Sequence, residues 1–118
     1  MDNIKFGLLY ELEAQNYLEK IGYTIVDKNV NYPKVGELDI VAFDNKDLVI
    51  VEVKYRTNSN YGHPLESLTR SKIQKIIKAT KLYLLETRYK YTGIRFDVVC
   101  FLGDTIEHIK NAFYGEWH

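Results

Sequence analysis

The chain of 118 residues predicts an α/β fold, a mixed sheet flanked by helices. Three observations lead there. Two helix-period segments, at 3–21 and 69–88, are set among five strand-like runs in the order α-β-β-β-α-β-β. The stretch "GELDIVAFDNKDLVIVEVKYR", Gly36 to Arg56, reads as two strands joined by a tight turn. The third strand, the second helix and the fourth strand form a crossover long enough to be parallel, and such crossovers are right-handed.

The elements follow in order. Asn3 to Ile21 reads as a helix that Asp2 or Asn3 can cap and Gly22 ends, with Gly7, Ala14, Leu18 and Ile21 on one stripe. Tyr23 to Val30 is a strand, and "NYPKVG" a loop, because Pro33 cannot donate to a ladder. Gly36 to Phe43 and Leu48 to Tyr55 are the hairpin strands around "DNKD". "RTNSNYGHPLES" is a polar loop carrying Tyr61 and His63. Thr69 or Ser71 then caps a helix to about Arg88, with Ile73, Ile76, Ile77, Thr80 and Leu84 inward and Lys72, Lys75, Lys78 and Lys81 on the other half. "IRFDVVCFL" is a fourth strand, and Gly103-Asp104 turns into a fifth, "TIEHIKNAF".

Composition sets the frame. The length suits one domain, residues 1–118, without linkers or repeats. Hydrophobic residues at 46% and charged residues at 27% are a globular balance. No apolar run approaches the roughly 20 residues that span a bilayer, and "MDNIKFGLLYELEAQ" lacks the basic flank and apolar core of a signal peptide. The single cysteine, Cys100, excludes an internal disulfide and a cysteine-based zinc site, and a cytoplasmic location is expected. Zero net charge argues against a globally basic nucleic-acid binder, so a basic surface would have to be local.

The hairpin holds the chemistry. Side chains alternate between the two faces of a strand, which puts Glu37 and Asp39 together on one, opposite Leu38 and Ile40. Glu52 and Lys54 likewise share a face. With the turn at Asn45-Lys46, opposed residues have numbers summing to 91, so Asp39 faces Glu52 and Glu37 faces Lys54. Like charges opposed across a ladder destabilise it. A proton, a cation or an ion pair must lie between them. Lys54 supplies one positive charge. A hard divalent cation supplies two and favours carboxylate oxygens and water. Glu11 falls on the inward stripe of the first helix, where an unpaired carboxylate is costly without a partner at the sheet.

Asp39, a hydrophobic strand, and then Glu52-Val53-Lys54 resemble the motif of the PD-(D/E)XK nuclease superfamily, with Leu38 where a loosely kept proline would stand. "GLLYELEAQNYLEKIGY", "NVNYPKVGELDIVA", "VIVEVKYR", "YGHPLESLTRSKIQKIIKATKLYL", "RFDVV" and "IKNAF" together resemble the YraN-like uncharacterised protein family of that superfamily, which is similar to the Holliday-junction resolvases. The resemblance spans nearly the whole chain. It implies a restriction-endonuclease-like αβββαβ core and a metal-dependent endonuclease hydrolysing DNA phosphodiester bonds, on branched or otherwise structured DNA. It implies Mg²⁺ or Mn²⁺ on Asp39 and Glu52, with Glu11 as the outer acid, and Lys54 orienting the attacking water or stabilising the phosphate. Analogy with the resolvases adds a homodimer.

Blander readings stand beside these. Glu37 can simply pair with Lys54. The lysines Lys72 and Lys75, with Arg56 and Arg70, form either a solvated face or a phosphate-binding surface. Asp97 reads as the ion-pair partner of Arg95, His108 as a strand residue, Cys100 as core. A different class of function, a non-catalytic nucleic-acid-binding module on the same fold, is kept alive by the neutral overall charge.

Overall fold

The computed structural model describes residues 2–56 and 64–113. The loop carrying Tyr61 and His63, and the terminal His118, lie outside the described residues. The elements run α1 (Asp2–Lys20), β1 (Thr24–Tyr32), β2 (Gly36–Asp44), β3 (Asp47–Arg56), α2 (Arg70–Thr87), β4 (Gly93–Leu102) and β5 (Thr105–Phe113), with a short 3₁₀ turn at Pro64–Ser67. The strands form one sheet in chain order. β1 to β3 are an antiparallel meander, β3 and β4 are parallel, and β5 returns antiparallel. The expected mixed α/β sheet is therefore the one observed, and its first six elements are the αβββαβ of a restriction-endonuclease-like core.

Each turn has a local cause. Asn45 takes a left-handed φ of 56° at the β2–β3 turn, a conformation that asparagine tolerates. The resulting ladder pairs Ile40 with Val51 through to Asp44 with Asp47, the predicted register. Thr69 caps α2, its hydroxyl accepting the Lys72 N–H at 3.2 Å, and Arg88 ends the helix with φ 54°. Gly22, at φ +100°, ends α1.

Two cores lie on opposite sides of the sheet. Ala14 and Leu18 of α1 pack on Ile40, Ala42, Val49, Val51, Val99 and Phe101. Ile76, Ala79 and Tyr83 of α2 pack on Leu38, Val41, Leu48, Ile50 and Phe96. Two expectations are corrected. Ile21 is not on the buried stripe: it follows the last helical residue and is 44% exposed. The inward face of α2 is rotated, so Ala79 and Tyr83 are buried while Ile73, Ile77 and Leu84 are only partly covered. Tyr83 is among the largest fully buried side chains.

The third correction concerns strand phase. Leu38 belongs to the α2 side and Ile40 to the α1 side, although alternation would put both on one face. The phase breaks at Asp39. Asn29 lies opposite it between the pairs Lys28–Ile40 and Val30–Leu38, and has φ 49°. A left-handed residue re-aims the chain on the edge strand, and β2 changes phase beside it.

α2 is seated close to β2 at Gly36. A Cβ there would fall 2.7 Å from the Lys75 carbonyl oxygen and 3.1 Å from its carbon, both backbone atoms. Gly36→Ala is expected to destabilise the protein by about 1–3 kcal/mol, since the helix must lift off the strand. Urea denaturation measures this, and an unchanged midpoint would refute the close seating.

Candidate active site

The acids and the lysine meet where the ladder between β2 and β3 stops. Beyond Ile40–Val51 the place of a backbone partner is taken by a side chain: an Asp39 carboxylate oxygen accepts the Val53 N–H at 2.9 Å. This fixes Asp39 at the break in strand phase. Asp39 also hydrogen-bonds the Glu52 carboxyl. Burial comes first among the causes that push the Glu52 pKa well above the ordinary carboxylate range, followed by the Asp39 charge and this hydrogen bond; Lys54 pulls it back and Glu37 adds to the rise.

Glu37, Glu52 and Lys54 line a groove of about 270 Å³ whose other wall is Lys72, Lys75, Leu68 and Ile76, with Gly36 at its side. The Lys54 ammonium is pushed below its ordinary range by burial and then by Lys72, against the pull of Glu52 and Asp39. Glu11 is partly buried. Burial raises its pKa, the Asp39 charge adds to this, and a hydrogen bond from the Asn29 side chain opposes it. Asp39 thus acts on Glu11 and on Glu52 at once.

Each expected residue has a place. Glu37 is exposed on the rim of the groove. Lys72 and Lys75 are exposed and line it together with Glu37 and Glu52, while Arg70 is exposed on the first turn of α2. Arg56 is partly buried near Cys100 and Lys54. Among the described residues, no group of three or more His, Cys, Asp and Glu side chains is assembled that could hold a metal ion. Asp39 and Glu52 adjoin and could hold a cation, with Glu11 also within reach of the Asp39 charge. The rise of the Glu52 pKa marks that two negative charges are costly there without a positive partner. Mg²⁺ asks for no more than one or two carboxylates, completing its shell with water and phosphate oxygens.

This frustration has a measurable consequence. Glu52→Gln keeps a hydrogen bond to Asp39 but removes the charge, so the metal-free protein is expected to melt about 2–4 °C higher. The same variant should lose any stabilisation that Mn²⁺ confers on the native chain. Scanning calorimetry with and without Mn²⁺ reads both effects, and a lower melting temperature without metal would show that the charge is not under strain.

Sequence reading missed most of a second polar cluster. Asp97, fully buried on β4, accepts from Arg95 Nε at 2.9 Å, Tyr23 Oη at 2.9 Å, His108 Nε2 at 2.8 Å and the Asn111 N–H at 3.0 Å. Arg95 reaches on to Asp44 at 3.0 Å and also bonds the Tyr23 hydroxyl, while Tyr17 holds His108 Nδ1 at 3.0 Å. The expected Arg95–Asp97 pair is present. Its other partners come from α1, β2, β5 and the residue before β1, which the spacing of the sequence does not connect.

A sheet of this order, carrying two adjoining carboxyls and a lysine where β2 and β3 part, defines the protein as an α/β chain of restriction-endonuclease-like architecture. Residues 10–101 match the model of the uncharacterised protein family UPF0102, and the chain belongs to that family, the YraN family. A UPF0102 protein of Lachnoclostridium phytofermentans is 49% identical over 108 residues, covering 91% of each chain. One of Persephonella marina is 43% identical over 103 residues, covering 87% of this chain and 88% of that one. Among solved structures the chain is similar to one titled "Crystal structure of SSO0001", at 18% identity and a TM-score of 0.43, covering 90% of this chain and 50% of that one. No helix among the described residues is long and apolar enough to cross a membrane.

Proposed function

We propose that the protein is a metal-dependent endonuclease that hydrolyses DNA phosphodiester bonds, with branched or otherwise structured DNA as the substrate class. The observation that carries this reading is the Asp39–Glu52 carboxyl pair, with Glu52 and Lys54 lining a groove that Lys72 and Lys75 also line. Asp39 and Glu52 would hold Mg²⁺ or Mn²⁺. Such an ion supplies Lewis acidity toward a phosphoryl oxygen and lowers the pKa of bound water.

The chain's own groups do the rest. The Val53 N–H holds the Asp39 carboxylate in one orientation. Lys54 places a positive charge where negative charge develops on the phosphate, in a partly buried position where that charge acts more strongly than in water. Lys72 and Lys75 lie across the groove, suited to the flanking phosphates. Glu11, on which the Asp39 charge also acts, is the outer acid of the metal site, and Glu37 on the rim supports it.

The test is incubation of the full chain with branched, duplex and single-stranded DNA in Mg²⁺ or Mn²⁺, with EDTA as control. Cutting that needs the metal is the expected result. A well-folded preparation that cuts none of the three would overturn the reading. The zero net charge supports a second reading, a nucleic-acid-binding module without catalysis. Under it, DNA binding survives Asp39→Asn, and calorimetric titration finds no Mn²⁺ site.

A further inference from the structure

The sheet carries a second basic recess at its other end. The turn between β2 and β3 and the segment leading into β4 enclose about 360 Å³, lined by Phe43, Asn45, Lys46, Lys90, Tyr91 and Thr92. Its volume falls within the range of small-molecule sites. Asn45 lies six residues along from Asp39, which at about 3.3 Å per residue places the recess roughly 20 Å from the candidate active site.

The lining combines charge with an aromatic surface. Lys46 and Lys90 are both exposed and no acid is among the lining residues. Two acids of the neighbouring strands are engaged: Asp47 accepts the hydroxyl of the lining Thr92 at 2.9 Å, and Asp44 pairs with Arg95 at 3.0 Å. Phe43 and Tyr91 supply ring faces. Tyr91 is 41% exposed, and Phe43 is held edge-on by Tyr89 at 5.7 Å between ring centres. The walls are tied together, since the Thr92 N–H also bonds the Lys46 carbonyl at 3.0 Å. A site whose walls are already tied together loses less entropy when a ligand enters it.

We infer that this recess binds a nucleotide unit, its base stacked on Tyr91 and its phosphate held between Lys46 and Lys90. Two cations without a lining acid select an anion, and exposed rings select one with a flat aromatic body. Together they describe a base and its phosphate rather than a carboxylate or a bare phosphate. Base–aromatic stacking is sequence-tolerant, so no particular base is demanded. The inference rests on these residues alone and needs no metal.

The test is an amide chemical-shift titration of the full ¹⁵N-labelled chain in EDTA. Deoxyadenosine monophosphate, a short single-stranded oligonucleotide and inorganic phosphate are the three probes. Saturable shifts at Asn45, Lys46, Tyr91 and Thr92 with the monophosphate are expected. Tyr91→Ala should weaken binding about tenfold, by loss of stacking, whereas Tyr91→Phe should keep it. Tighter binding of the oligonucleotide would identify a strand as the source of the unit, and equal binding a free nucleotide. Inorganic phosphate reproducing the shifts, or nucleotide shifts confined to the groove at Glu52 and Lys54, would overturn the inference. Because no metal is present, failure here leaves the nuclease reading standing, and loss of cutting leaves this one standing.

Discussion

Asp39→Asn abolishes metal-dependent DNA cutting while the protein stays folded: this is the largest functional effect expected. The asparagine Oδ1 can still accept the Val53 N–H, so the local geometry at the end of the ladder is preserved. What disappears is the negative charge that, in the proposed mechanism, would give a divalent cation its place beside Glu52. Losing one preorganised electrostatic contact to a transition state typically costs on the order of 10²–10³-fold, and losing a metal ligand costs at least as much. Lys54→Ala should cause a comparable loss by a different route, with the Mn²⁺ site intact. Single-turnover cutting of labelled DNA, read beside calorimetric Mn²⁺ titration, separates the two. Asp39→Asn should lose both cutting and metal binding, and Lys54→Ala cutting only. Activity within tenfold of the native chain in either variant would remove that residue from the chemistry.

The largest effect on stability is expected at Asp97, outside the candidate active site. Its carboxylate is fully buried and joins Arg95, Tyr23, His108 and the Asn111 backbone. Burial alone would raise its pKa. The hydrogen bonds from His108, Arg95 and Asn111 win, and hold it at about 2 against an ordinary 3.8. Asp97→Ala leaves the Arg95 guanidinium and the His108 ring facing each other without their shared acceptor. Removing one partner of a buried charged cluster costs about 3–5 kcal/mol, a large share of the stability of a domain this size. Urea denaturation measures it, and a loss below 1 kcal/mol would mean that the cluster relaxes into solvent. The native chain should carry the same signature in pH. A carboxyl whose folded pKa lies below its unfolded value stabilises above the unfolded pKa and ceases to do so as pH falls through the folded one. The Asp97 contribution is therefore complete above about pH 4 and fades toward pH 2, and Asp97→Asn should flatten that part of the acid-unfolding curve.

The sequence was most legible where local rules act alone. Element order, the register summing to 91, the parallel crossover and the Thr69 cap all follow from turn chemistry and alternation. It was least legible where elements meet. Period 2 cannot announce that Leu38 and Ile40 part company, because the cause is a left-handed Asn29 on the neighbouring strand. The inward face of α2 was misjudged because small Ala79 and amphipathic Tyr83 carry a weak apolar signal, although both are buried. Asp97 was read only as the partner of Arg95, since nothing along the chain connects it to Tyr23 or His108. For the candidate site, the motif brought out Asp39, Glu52 and Lys54 together; Glu52 and Lys54 line the groove, and Asp39 acts on Glu52 from beside it. The recess at Lys46 and Tyr91 carries no motif and becomes visible only when the hairpin turn meets the segment before β4.

The parallel ladder at the centre of the sheet has a further consequence, in time rather than in space. Every residue of β3 from Asp47 to Arg56 pairs with one of β4 that lies 46 positions further along. None of those bonds can form until α2 and its flanking loops have been made and swung across. The hairpin of β2 and β3 closes over two residues and has no such delay. Long closures are entropically unfavourable before they are rewarded, and chains dominated by them fold slowly. A nascent chain would thus present its carboxyl-bearing hairpin early and wait for the strand that completes the middle of the sheet.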